Sequence, residues 1–171
     1  MNLKKLYIVL VLFLITPYSV NSEESLLGQS DKVLSVYSGM FDFSDDGKKS
    51  TLIGIQHQNE NLNRDTFLGN LSPITGALFT ADNAGYIYTG IQAQYKLGNL
   101  NITPSFTPGL YHEGDGKDLG HILEFKSEVQ ISLDIFKNSE LGFSYNHISN
   151  ASLGDKNPGA NSYMFNFFKS F

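Results

Sequence analysis

The chain has 171 residues, no cysteine and a formal net charge of −5. That length holds one domain. The missing thiols exclude disulfides, thiolate nucleophiles and cysteine metal sites, and the negative balance gives no support for nucleic-acid binding.

The N-terminus reads MNLKKLYIVLVLFLITPYSVNSEE. Lys4 and Lys5 precede an apolar run from Leu6 to Ile15. Pro17 follows, then Val20 and Ser22 stand before Glu23 and Glu24. This three-part layout predicts a secretory signal peptide over residues 1–22. A spanning helix needs about 20 apolar residues and this run has roughly ten. The folded domain is then residues 23–171. An exported domain without cysteine is not a small disulfide-stapled module. No later segment approaches the length of a spanning helix, so any membrane crossing has to be built from strands.

Strand-like runs follow near 33–43, 50–59 and 71–80, separated by the turn-rich segments SDDGKKS, NENLNRD and TADNAG. In 84–97, Ile87, Ile91, Ala93, Tyr95 and Leu97 share one face. Gln92, Gln94 and Lys96 lie opposite, with Tyr88 the one large ring among them. After the GN turn, Ile102, Pro104, Phe106, Pro108 and Leu110 alternate with Asn101, Thr103, Ser105 and Thr107. This is the period of a strand with one apolar face, although each proline removes a ladder donor. The segment HEGDGKDLG lacks the spacing of a calcium loop and is expected as a solvated outer loop. In HILEFKSEVQISL, Leu123, Phe125, Val129, Ile131 and Leu133 oppose Glu124, Lys126, Glu128, Gln130 and Ser132. Three charges on the polar face of one strand suit a polar interior. Across 139–150, Leu141, Phe143 and Tyr145 share a face with His147 and Ser149, because strand residues two apart point the same way. The last run, 161–171, places Asn161 on the face of Tyr163, Phe165 and Phe167, and ends on Phe171.

Eight such strands and no helical period predict an all-β fold, an eight-stranded antiparallel transmembrane β-barrel. Eight is the smallest common size of an outer-membrane barrel. The competing fold is a soluble eight-stranded barrel with its apolar face inward. An aromatic content of 13%, Tyr and Phe without Trp and many near strand ends, favours the membrane form, whose girdles are aromatic. With the N-terminus in the periplasm, the links GN and FKNSE fall on the short-turn side, and residues 150 to 161 lie at the outer surface. Asn161 opposite His147 would make Tyr145 pair with Tyr163 and Phe143 with Phe165, favourable cross-strand aromatic pairs. His57, His112 and His121 are expected in loops or at strand ends, and no metal or other cofactor is called for.

The segment HISNASLGDKNPGAN resembles the signature of the PagL-type lipid A deacylases. LSVYSGMFDF, TPSFTPGLY and DLGHILEFKS resemble further segments of that family, so the similarity covers most of the mature chain. The resemblance implies an outer-membrane barrel, its site facing the outer leaflet, that hydrolyses an ester-linked hydroxyacyl chain of lipid A. By position, His147 matches the base and Ser149 the nucleophile. Asn150, the Ala151 backbone and Asn157 match the oxyanion-hole region, and Asn161 stands where the family carries Glu. The implied partners are lipid A or lipopolysaccharide as substrate and outer-membrane lipid around the barrel; a homodimer is left open. A hydroxyl is a poor nucleophile until an adjacent base takes its proton, which His147 can do. An amide at 161 can orient that imidazole but supplies no negative charge. The alternative is therefore a catalytically impaired, non-enzymatic barrel that binds lipopolysaccharide or stabilises the membrane.

Overall fold

The computed structural model describes residues 32–171, so the expected signal peptide lies outside the described residues. The strands are β1 (Lys32–Phe41), β2 (Ser50–Asn59), β3 (Arg64–Thr66), β4 (Gly69–Thr80), β5 (Gly85–Ala93), β6 (Tyr95–Leu97), β7 (Leu100–His112), β8 (Leu123–Phe136), β9 (Ser139–Ser149) and β10 (Ala160–Ser170). Every pairing is antiparallel, in the order β2-β1-β10-β9-β8-β7-β5-β4, and β4 pairs back with β2. The sheet thus closes on itself and leaves no edge, as a chain that meets lipid requires. β6 prolongs β5 against β7, so the wall has eight strands. The turn-rich NENLNRD segment carries more structure than its composition suggests. It forms a 3-10 turn, Glu60–Leu62, capped by the Asn59 side chain, and then β3, which folds back on β4.

The two prolines of β7 leave their mark on one side only. The β7–β8 register runs unbroken through Pro104 and Pro108, whereas the β5–β7 ladder has gaps beside both. The prolines are four residues apart, so their missing N–H groups point to the same neighbour.

Side chains alternate as the sequence pattern requires. Ile53, Ile55, Phe79, Ile87, Leu110, Val129, Ile131, Leu141, Phe143 and Phe165 are exposed on the outer surface. Gln56, Gln92, Thr103, Glu124, Lys126, Glu128, Gln130, Ser144 and Asn146 are buried inside. A polar interior within an apolar exterior inverts the soluble barrel and is the arrangement of a barrel that faces lipid.

The interior has two halves. Toward the rim formed by residues 42–49, 81–84, 113–122 and 150–159, a cluster that includes Phe41, Leu52, Leu78, Tyr86, Tyr111, Leu119 and Ile148 fills the lumen. Leu119 belongs to the loop expected to be fully solvated, yet it is only 1% exposed, because that loop folds over the barrel mouth. Below this cap, Lys126 donates to Glu128 at 3.2 Å and its ammonium stands 4.1 Å from the Tyr88 ring centre. Tyr88 joins Tyr37 at 3.0 Å and donates to Gln56 at 3.1 Å. An eight-stranded barrel has room inside for little more than such side chains.

Candidate active site

His147 and Asn161 lie directly opposite each other on β9 and β10, followed inward by Tyr145–Tyr163 and Phe143–Phe165. This is the register that the aromatic pairing predicts. Phe143 and Phe165 meet edge to face with ring centres 5.4 Å apart, and Phe143 stacks on Tyr163 at 6.1 Å. An aromatic floor therefore lies on the outer surface beneath the polar pair.

His147 Nδ1 and Asn161 Oδ1 are 2.8 Å apart. The Asn161 amide nitrogen donates to Ser44 Oγ at 3.2 Å, which leaves Oδ1 as the acceptor that faces the imidazole. Nδ1 then carries the proton, and Nε2 keeps the lone pair a general base needs. The same Oδ1 accepts from the Tyr145 hydroxyl at 2.8 Å.

The backbone of Asn161 is held as firmly. Phe43 N donates to Asn161 O at 3.0 Å, and Asn161 N donates to Asp42 Oδ1 at 3.3 Å. Asp42 is 1% exposed and pairs through its other oxygen with Lys117 at 2.6 Å. Phe43 closes the arrangement by contacting the rings of Tyr145 and Tyr163. Residues 42–44 thus form a clasp over Asn161. Sequence reading missed this clasp, since its partners lie more than a hundred positions apart and share no pattern.

Ser149 ends β9 two residues beyond His147, on the same outward side, and is paired in register with Phe125. Its hydroxyl donates to no group among the described residues. The chain then turns sharply. Ala151 and Ser152 both have positive φ, 53° and 63°, and Leu153 N donates to Asn150 O at 3.0 Å. Positive φ at both central residues makes this a type I′ turn, here without glycine or asparagine at either position. Such left-handed residues cost about 1–2 kcal/mol each and persist where the surroundings enforce them, which is common at functional sites.

Asn150 is what enforces the turn. Its side chain is fully buried, and both amide hydrogens are used, on Leu119 O and Lys156 O at 2.8 Å each. Its backbone N–H goes to Asn157 Oδ1 at 3.1 Å. The Asn150 amide therefore shapes the loop. The N–H of Ala151 has no acceptor among the described residues, and with Oδ1 of Asn157 engaged, its Nδ2 is the end left to donate outward.

Two further contacts fix this loop. The Lys156 ammonium holds the Asp118 carboxyl below its usual range and ties the 150–159 loop to the 113–122 loop. Gly159, with φ of 63°, lies under the imidazole: a Cβ there would stand 2.7 Å from His147 Cε1 and 3.2 Å from Nε2. Only glycine gives both the backbone conformation and the space.

The remaining histidines stand apart from this cluster. His57 lies outward near the far end of β2. His112 Nδ1 accepts from Gly114 N, and His121 Nδ1 from Leu123 N, both at 3.0 Å, so each caps its own loop.

Known proteins share this architecture. The crystal structure of the outer membrane enzyme PagL superposes with a TM-score of 0.62 at 15% identity, covering 81% of this chain and 99% of that one. Neisserial surface protein A gives 0.57 at 12% identity, covering 85% of this chain and 100% of its own. A de novo designed transmembrane β-barrel gives 0.56 at 10% identity, with the same coverage. At such identities these likenesses concern the fold alone. No curated protein sequence matches the chain. The model of the lipid A 3-O-deacylase (PagL) family does match, over residues 34–170. With nearly all of the described barrel inside that match, the chain belongs to the lipid A 3-O-deacylase (PagL) family of outer-membrane β-barrel hydrolases.

Proposed function

We propose that this chain is an outer-membrane lipid A deacylase that cleaves a 3-O-type hydroxyacyl ester with Ser149 as nucleophile and His147 as base. The observation that carries this reading is the 2.8 Å contact between His147 Nδ1 and Asn161 Oδ1, outside the barrel and two residues from Ser149. The two-residue links 98–99 and 137–138 lie at the opposite rim. Short turns of that kind belong to the periplasmic side, which supports a site in the outer leaflet, among lipopolysaccharide.

Ser149 Oγ attacks the ester carbonyl carbon while Nε2 of His147 takes its proton. The oxyanion of the tetrahedral intermediate accepts hydrogen bonds from Ala151 N–H and Asn157 Nδ2; such stabilisation is usually a large catalytic term. Collapse expels the sugar oxygen, which takes the proton back from Nε2. A water activated by the same nitrogen then releases the hydroxy fatty acid and restores Ser149. Asn161 keeps the tautomer correct but cannot neutralise the imidazolium. In a serine protease the corresponding Asp→Asn change costs ~10⁴ in turnover, so turnover here is expected to be slow.

The Ser44–Asn161 bond favours a second reading, because the clasp accommodates an amide without loss. This is the non-enzymatic barrel that retains the lipopolysaccharide-binding surface. Mass spectrometry of lipid A from cells with and without the protein separates the two: the deacylase removes one hydroxyacyl chain and the binding barrel removes none. Ser149→Ala and His147→Ala should each abolish the loss while leaving heat-modifiable gel migration intact. Wild-type deacylation by either variant would remove the assignment.

A further inference from the structure

Beneath the strained turn lies a buried acid that the mechanism above does not use. Glu124 precedes Phe125, the partner of Ser149, so it points into the lumen where Phe125 points out. Its side chain is fully buried and neither carboxyl oxygen receives a hydrogen bond. In the same register Asn150 stands across from it, also fully buried, with its Oδ1 equally unpartnered. The Asn150 side chain lies against the Glu124 carboxyl, yet its two amide hydrogens are spent on Leu119 O and Lys156 O. Three buried acceptor oxygens thus meet with no donor among them.

The groups around this carboxyl offer none. Lys126, next on the same face, gives its ammonium to Glu128. From β5, the Tyr86 hydroxyl donates to Thr107 O and to the Glu124 main-chain oxygen. From β7, Tyr111 donates to Lys117 O, and the residue facing Glu124 is Gly109. In the loop above, His121 Nδ1 is held by Leu123, Asp118 pairs with Lys156, and Lys117 pairs with Asp42. Among the described residues no cation reaches Glu124. An ionised, unpaired carboxylate in such a place is costly, whereas a neutral carboxyl carries the missing donor.

We infer that Glu124 is held as the neutral acid and donates its proton to Asn150 Oδ1, which locks the turn that presents the Ala151 N–H. Glu124 is then a positioning residue for the esterase site, and this role rests on the function proposed above. One proton satisfies the facing pair. When it leaves to solvent at alkaline pH, a carboxylate confronts the Asn150 carbonyl oxygen and the turn loses its lower anchor.

The test is an infrared difference spectrum between wild type and Glu124→Gln, both folded in detergent micelles at neutral pH, read alongside deacylation of purified lipopolysaccharide. The expected result is a protonated-carboxyl stretch in wild type that the Gln variant lacks. Only carboxylate bands in wild type, whether balanced by water or by a cation, would overturn the inference. Should the Gln variant not fold, Glu124→Asp identifies the band by shifting it. Wild-type activity should decline on the alkaline side together with the band, while Glu124→Gln, which keeps a donor and cannot ionise, holds its rate. Glu124→Leu should lose about tenfold at every pH with its barrel still heat-modifiable. Identical pH profiles in wild type and Glu124→Gln would overturn the positioning role. Absence of deacylation in wild type would instead remove the proposed function, and the infrared band would still decide the state of Glu124.

Discussion

Asn161→Asp should raise the rate of acylation. The substitution is isosteric, so the oxygen now 2.8 Å from His147 Nδ1 stays in place and gains charge. A carboxylate about 4 Å from the centre of an imidazolium gains roughly 1–4 kcal/mol between bulk water and a surface-like dielectric. That corresponds to about fivefold to a thousandfold in rate, below the ~10⁴ of the buried protease triad. The local costs are small. Ser44 loses the donor that now reaches it at 3.2 Å, but its hydroxyl can turn and donate instead. Tyr145 already donates to the same oxygen and would do so more strongly to a carboxylate. The opposing term is Asp42, whose carboxylate accepts from the backbone N–H of residue 161 and is balanced by Lys117. Asn161→Glu should gain less, because the amide already spans the gap and an extra methylene would press the carboxyl into the ring. Single-turnover rates on purified lipopolysaccharide measure the effect. An unchanged or lower rate for Asn161→Asp, with the barrel folded, would refute the view that a missing negative charge limits this site.

Gly159→Ala puts a Cβ 2.7 Å from His147 Cε1. It should cost about 1–2 kcal/mol of stability for the left-handed backbone and, by shifting the ring by about 1 Å, roughly 10²-fold in turnover; unfolding and lipid A mass report the two effects separately. Asn157→Ala removes the acceptor of Asn150 N–H together with the outward amide, so kcat should fall by about 10²–10³ with KM little changed. Lys126→Met strands Glu128 in the lumen and should destabilise the barrel by about 3–5 kcal/mol in urea unfolding, and adding Glu128→Gln should restore most of it.

The alternation of apolar and polar residues determined the strand number, the inward face of Glu124, Lys126 and Glu128, and the outward face of His147 and Ser149. A strand has a period of two, and nothing beyond the chain is needed to read it. The turn segments located the ends of the barrel, and the Tyr145–Tyr163 and Phe143–Phe165 pairs set the register that brings Asn161 to His147. Only the tertiary structure decided what surrounds that pair. Asp42, Phe43 and Ser44 reach Asn161 because closure of the barrel brings β1 beside β10. Leu119 leaves a polar loop to seal the lumen because Asn150 takes its carbonyl. Gly159 is fixed by the ring above it rather than by the turn alone. These contacts join residues far apart in sequence through single hydrogen bonds and close approaches. They have no periodicity, and only the closed barrel brings their atoms together.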